Sequence, residues 1–362
     1  MIVAGGGTGG HLFPGLAVAE AIAAAGNASV LFVGSAYGLE ATAVPRTRFP
    51  FRALALRGVR GRGVRGALAF LSHLPITLLQ SWRILSSFRP TLVLGLGGYG
   101  SVPVAVAAWL RRVPVVLLEQ NAHPGLANRV LAHLACKVCT TFEASANFFP
   151  AGKAVHTGNP VRLLAPVPRQ ASDRFTILAF GGSQGAHALN CALVDAAAIL
   201  RHAAPTVHLI HQTGTADAAW VRERYAALGA DAEVLEFIHD MGDAYGRADL
   251  VICRAGATTL AELTALGKPS ILVPYPFAAD DHQRKNAEVL REHGAAELIL
   301  NAELTGESLA ARVLELRRER SRLQAMGAAA RALALPDATA RVVALCRQVE
   351  AEARRSDGGE AR

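Results

Sequence analysis

Two stretches of this chain follow one pattern: a short apolar run, a cluster of glycines, then a helical run. The first, MIVAGGGTGGHLFPGLAVAEAI, opens the chain, and the second, FTILAFGGSQGAHALNCALVDAAAIL, spans 175–200. A buried parallel strand that ends in a glycine turn and enters a helix is the opening unit of a doubly wound α/β domain. Two copies therefore predict two such domains, and 362 residues suffice for both. Further strand-like runs bounded by breakers lie at 29–34, 91–97 and 113–120, and again at 207–214, 233–238, 249–256 and 269–275. The predicted division is a first Rossmann-like domain over 1–157, a proline-bearing linker over 158–173 and a second Rossmann-like domain over 174–336. A last helix within 337–362 follows no further strand; it is expected to pack back on the first domain and to end in a disordered tail.

Charge is unevenly distributed. No acid lies between Glu40 and Glu119, whereas that span holds Arg46, Arg48, Arg52, Arg57, Arg60, Arg62, Arg65, Arg83, Arg89, Arg111 and Arg112. The whole chain is only +8, so the basic character is concentrated in this region. These arginines alternate with aliphatic residues and glycine (LRGVRGRGVRGALAFL), with no lysine and little aromatic material for stacking bases. An anionic lipid surface fits better than nucleic acid, although a solvated basic face remains the plain alternative. The uncharged stretch 66–82 is marginal for spanning a bilayer. With His73, Pro75 and Gln80 inside and Arg65 and Arg83 flanking it, it suits a segment lying at an interface. Glycines and Pro103 break the apolar stretch 90–110. No export signal is legible, and the five cysteines form no framework, so a reducing cytoplasm is expected. Cys136 and Cys139 read as small residues on a strand rather than a metal or redox pair.

Glycine turns at 5–10, 95–100 and 181–185 lead toward helix N-termini. Backbone N–H groups and the helix dipole at such places favour an anion, and a missing side chain lets phosphate approach. No GxxxxGK[ST] is present, the second strand ends in Gly34-Ser35 rather than an acid, and Asp280-Asp281 are adjacent rather than spaced as a metal motif. These features argue against a P-loop, NAD and a metal–diphosphate clamp, and a metal-free nucleotide-sugar site remains. His11, at the start of the first helix, has the right intrinsic pKa for a general base; a histidine that merely hydrogen-bonds at a helix start is the alternative.

Nine motifs then occur in order: GGGTGGHLFPGLAVAEAI, LGLGGYGSVPVAVAAW, LEQNAHPGLANR, GNPVR, GGSQGAHALN, EFIHDM, CRAGATTLAEL, PYPFAADDHQRKNA and PDAT. From about residue 2 to 347 the chain resembles the MurG family. The resemblance implies the GT-B architecture, two Rossmann-like domains facing a cleft, and inverting transfer of GlcNAc from UDP-GlcNAc to the MurNAc 4-hydroxyl of lipid I, giving lipid II. It implies no metal or other cofactor, a peripheral location on the cytoplasmic face of the bacterial inner membrane, and other cell-wall synthesis proteins as partners. By resemblance His11 is the base, Glu119 supports the acceptor side, and Thr8, Gly9, Gly10 and Asn121 lie near the sugar. Arg162 and Ser183 match diphosphate-side positions, and Ile238 the uracil reader. Ala257, Thr258, Thr259, Leu260, Ala261 and Glu262 form the nucleotide-facing helix start, with Glu262 on the ribose, and Gln283 matches a GlcNAc contact. The first strand is unusually short, and His282 stands where many relatives carry a second glutamine. Competing readings are a relative using another lipid acceptor such as diacylglycerol, an epimerase acting on UDP-GlcNAc, and a non-catalytic nucleotide-sugar-binding scaffold at the membrane.

Overall fold

A computed structural model describes residues 1–26, 29–56, 63–161, 174–182 and 184–359. The chain divides into two compact units, Met1–Arg162 with Leu335–Arg362, and Leu163–Ala334.

The first unit is a seven-stranded parallel sheet. Its strands are β1 (Ile2–Ala4), β2 (Leu31–Ser35), β3 (Phe51–Leu54), β4 (Val93–Gly95), β5 (Val115–Glu119), β6 (Lys137–Thr140) and β7 (Ala154–His156), in the order β3-β2-β1-β4-β5-β6-β7. The three-residue β1 is central: Ile2 pairs with Leu31 on one side and Val93 on the other. β1, β4 and β5 are buried along their whole length, and apart from Glu119 at the end of β5 their sequences carry no polar side chain. The helices are α1 (Gly9–Ala24), α2 (Glu40–Ala43), α3 (Gly63–Phe88), α4 (Val102–Leu110) and α5 (Leu126–Leu131). Gly15 lets α1 sit directly on the sheet, since a Cβ there would come within 2.5 Å of the Leu96 side chain.

The second unit is a six-stranded parallel sheet. It contains β8 (Phe175–Phe180), β9 (Val207–Gln212), β10 (Ala232–Leu235), β11 (Leu250–Cys253), β12 (Ser270–Leu272) and β13 (Ala296–Leu298), in the order β10-β9-β8-β11-β12-β13. Its helices are α6 (His187–Ala203), α7 (Ala218–Leu228), α8 (Met241–Arg247), α9 (Ala257–Leu266), α10 (His282–Glu292), α11 (Gly306–Arg318) and α12 (Arg320–Ala332). One core cluster joins the strands to α6 and α11 through Leu189, Leu193, Leu309 and Val313.

The final helix, α13 (Ala338–Gly359), returns to the first unit and packs on α1. Val342, Val343, Cys346 and Val349 share a core with Leu12, Val18 and Ile22, and Thr91 donates its hydroxyl to Glu350 at 2.5 Å. In α3, Thr77, Ser81 and Leu85 are buried, while Ile76, Leu79 and Trp82 are exposed. The Arg111 guanidinium lies 4.7 Å from the Trp82 ring centroid. Among the described residues no helix is long and apolar enough to cross a membrane. Arg57, Arg60 and Arg62 of the basic stretch lie outside the described residues.

Candidate active site

Each sheet reverses its winding direction once, between β1 and β4 in the first unit and between β8 and β11 in the second. Chain connections leave in opposite directions at such a point and open a crevice at the carboxyl ends of the strands. The glycine turns 5–7 and 97–100, the Gly181-Gly182 step and the Arg254-Ala255-Gly256 turn follow these four strands.

Most of these glycines serve packing between loops. A Cβ on Gly5 would come within 2.6 Å of Gly97 O, and one on Gly185 within 1.9 Å of Thr213 O. Gly6, Gly34 and Gly38 surround the carboxylate of Glu40, which is 1% exposed. That carboxylate accepts the N–H of Gly7 at 2.6 Å and of Ser35 at 2.8 Å, tying the first glycine turn to the end of β2. Gly7 and Gly182 differ: their φ values are +87° and +94°, and among the described residues an added Cβ would meet nothing within 4 Å. These are the places where backbone is open to a ligand.

The turn at Gly7 delivers the chain to α1. Thr8 is the extended N-cap residue, and its carbonyl accepts from His11 and Leu12 N–H. Gly9, Gly10 and His11 form the first helical turn, at the positive end of the helix dipole. The His11 ring lies 2.7 Å, Nδ1 to Oε1, from Gln120, a buried residue that directly follows β5. Gln120 Nε2 donates to Leu96 O at 3.2 Å, so the amide oxygen is the atom turned to the histidine. An oxygen there only accepts, so Nδ1 carries a proton in this bond.

Beside it, Glu119 organises its own loop. Its carboxylate accepts Asn121 N–H at 2.9 Å, Asn121 Nδ2 at 3.3 Å, Gly125 N–H at 3.3 Å and Asn128 Nδ2 at 2.9 Å. Burial raises its pKa, against the lowering effect of these donors. These bonds hold Asn121 and the turn into α5. Asn121 is half-buried, and its carbonyl accepts from Ser145 Oγ at 3.0 Å.

In the second unit Gly256 caps α9, whose first turns carry Ala257 through Glu262. Ala257 and Leu260 are buried, whereas Thr258, Thr259, Ala261 and Glu262 are half-buried. Burial pushes the Glu262 carboxyl up to about 7, and the Tyr245 hydroxyl donates to it at 2.9 Å, which lowers it. Ile238 is buried in the loop after β10. Gln283, in the first turn of α10, accepts Tyr275 N–H through Oε1 at 2.9 Å, and His282 donates from Nδ1 to Ala279 O at 2.7 Å. Arg254 is buried and donates to Val273 O, Pro274 O and Asn301 Oδ1, fastening the ends of β11 and β12. Thr8, Gly9, Gly10, His11, Glu119 and Asn121 belong to the first unit. Ile238, the α9 residues and Gln283 belong to the second, and all lie at or after the carboxyl ends of strands. Arg162 and Ser183 lie outside the described residues.

Three supporting groups were not singled out from the sequence: Glu40, Gln120 and the Asn190–His211 pair. His211 is buried and pushed down to about 4 by burial. Asn190 Nδ2 donates to Thr213 O and Asp217 Oδ2, so Asn190 Oδ1 accepts from His211 Nε2 at 3.0 Å, and Tyr225 O–H donates to His211 Nδ1 at 2.9 Å. This chain of bonds secures the Thr213-Gly214 wall against which Gln184 and Gly185 pack. A lone buried acid among glycines and a polar pair at the end of a strand were the available signals.

The comparisons agree with this geometry. A model of the glycosyltransferase family 28 N-terminal domain matches residues 1–140, and one of the family 28 C-terminal domain matches residues 176–342. A protein of Anaeromyxobacter sp. (strain K), a UDP-N-acetylglucosamine--N-acetylmuramyl-(pentapeptide) pyrophosphoryl-undecaprenol N-acetylglucosamine transferase, is 46% identical over 367 residues, covering 100% of this chain and 96% of its own. The protein of the same name from Myxococcus xanthus is 45% identical over 351 residues, covering 96% and 92%. The crystal structure of MurG from Acinetobacter baumannii superposes with a TM-score of 0.79 at 34% identity, covering 96% of this chain and 98% of that one.

Proposed function

The chain belongs to the MurG family, within glycosyltransferase family 28, and on that premise we propose how its two units divide the chemistry. It transfers N-acetylglucosamine from UDP-GlcNAc to the MurNAc 4-hydroxyl of the undecaprenyl-pyrophosphoryl-MurNAc-pentapeptide, lipid I, and forms lipid II. The acceptor oxygen attacks C1 of the sugar, the bond from C1 to the diphosphate breaks with inversion, and the hydroxyl proton passes to His11. The observation that carries this assignment is the bond from His11 Nδ1–H to Gln120 Oε1, which in the neutral ring assigns the basic lone pair to Nε2, in the helical turn that follows the first glycine turn. Thr8, Gly9, Gly10 and Asn121 lie near the sugar, and Glu119 supports the acceptor side by holding Asn121.

The second unit takes the donor. Departing UDP gains negative charge, which the α9 N-terminus and the 181–185 turn receive through backbone N–H groups, together with Arg162 and Ser183. Glu262 accepts the two ribose hydroxyls, the backbone at Ile238 reads uracil, and Gln283 contacts GlcNAc. No metal ion is needed, because fixed dipoles and a guanidinium hold the diphosphate charge. The exposed Ile76, Leu79 and Trp82 of α3, beside the arginine-rich stretch, rest on an anionic bilayer where the lipid-linked substrate resides. The protein accordingly works at the cytoplasmic face of the inner membrane.

The test is a transfer assay with labelled UDP-GlcNAc and a lipid I analogue, with and without EDTA. Label should move to the lipid product at equal rates in both arms. A change of UDP-GlcNAc without acceptor favours the epimerase reading, and loss of transfer in EDTA removes the metal-free mechanism.

A further inference from the structure

We propose that Gln120 is a positioning residue that selects the His11 tautomer and so determines which ring nitrogen removes the acceptor proton. The inference rests on the reading of His11 as the base. Gln120 is 1% exposed, and its two ends have different fixed partners. Nε2 donates to Leu96 O at 3.2 Å, in the turn after β4, and Oε1 faces His11 Nδ1 at 2.7 Å, in the first turn of α1. Rotating the amide by half a turn would place an N–H donor against Nδ1 and an oxygen against a carbonyl oxygen. Only one orientation of the amide therefore satisfies both neighbours, and it requires a proton on Nδ1. The neutral histidine side chain in water favours the opposite tautomer, with the proton on Nε2. The buried amide reverses that preference and leaves Nε2 able to accept the hydroxyl proton.

The choice of a neutral amide has its own consequence. A carboxylate on Nδ1 would stabilise the imidazolium more strongly and raise the pKa of His11. It would also meet Leu96 O with an oxygen, and it would be a second buried acid next to Glu119, which is itself buried. The amide supplies orientation without placing a charge beside the ring.

The first experiment uses the unmodified protein: nitrogen-15 NMR of histidine-labelled enzyme, with the His11 signals assigned by loss in His11→Ala. Nδ1 should be pyrrole-like and Nε2 pyridine-like at pH 8. An Nε2–H signal there overturns the inference without any variant. Gln120→Met, similar in length but unable to hydrogen-bond, should return His11 to the Nε2–H tautomer and lower kcat roughly 10–100-fold, with donor KM unchanged. Gln120→Glu should move the acidic limb of the kcat/KM profile to higher pH. His11→Ala combined with Gln120→Met should turn over no more slowly than His11→Ala alone, because Gln120 acts through the ring. A further loss in the double variant indicates a separate structural role and sinks the proposal. If His11→Ala itself keeps full turnover, the base assignment fails; if it is inactive while Gln120→Met retains the wild-type rate and pH profile, only the Gln120 inference fails.

Discussion

The backbone N–H of Gly7 donates to Glu40 Oε2 at 2.6 Å across 33 positions of sequence. The other oxygen of the same carboxylate receives Ser35 N–H. One acid thus closes the first glycine turn onto the end of β2, within a cage of Gly6, Gly34 and Gly38 whose missing side chains make room for it. Glu40→Gln sets an NH₂ against one of two backbone donors. The expected cost is about 1–3 kcal/mol of stability in the first unit, with lowered turnover as the turn shifts. Thermal melting and the transfer assay check it; a variant unchanged in both would remove Glu40 from this role.

The Glu262 carboxyl titrates at about 7, well above the ordinary carboxylate range. Above that pH it is ionised and accepts both ribose hydroxyls; below it, one oxygen carries a proton and acceptor capacity is lost. Donor KM should therefore rise several-fold as pH falls from 8 to 6. The Tyr245 hydroxyl lowers this pKa by donating to the carboxylate, so Tyr245→Phe should move the rise in KM to higher pH. A donor KM independent of pH in both proteins would contradict the ribose assignment.

His211 is held neutral, with Nδ1 accepting from Tyr225 and Nε2 donating to Asn190. Its pKa is depressed to about 4, so its contribution to stability is complete above about 6.5 and is lost as pH falls through 4. Protonation costs the Tyr225 bond and places a charge in the core. We expect the second unit to lose on the order of 1–3 kcal/mol between pH 6.5 and 4. Calorimetry over that range measures it, and the slope should flatten in His211→Gln, whose starting stability is lower.

The membrane face separates into charge and apolar contributions. Neutralising Arg60, Arg62 and Arg65 should weaken binding to anionic vesicles, more at low than at high salt. Replacing Ile76, Leu79 and Trp82 with serine should weaken binding to neutral and anionic vesicles alike, by about 1.5–3 kcal/mol for each side chain that enters the bilayer interface. Cosedimentation with vesicles of both compositions distinguishes the two, and binding unchanged in both variants removes α3 and its arginines from the membrane.

The buried inner strands were legible because their apolar runs are continuous. The readings at 29–34, 113–120 and 249–256 overlie Leu31–Ser35, Val115–Glu119 and Leu250–Cys253. The short outer strands Phe51–Leu54 and Ala154–His156 were not, since exposed edge residues such as Arg52 and His156 interrupt the apolar signal. The glycine turns were visible, but their partners were not. Nothing near Glu40 in sequence announces that its carboxylate returns to Gly7, and Gln120 reads as one polar residue of a loop until Leu96 and His11 are seen on either side of it. Glu119 stood out as an acid in a motif, but the four donors that its carboxylate gathers from the loop after β5 were not legible.

The most direct measurement compares His11→Ala with the unaltered enzyme in single-turnover transfer to a lipid I analogue, alongside calorimetric titration with UDP-GlcNAc. Transfer should fall roughly 10²–10⁴-fold while donor affinity stays the same. Transfer at the wild-type rate, or an equal loss of donor binding, would contradict the assignment of His11 as the base.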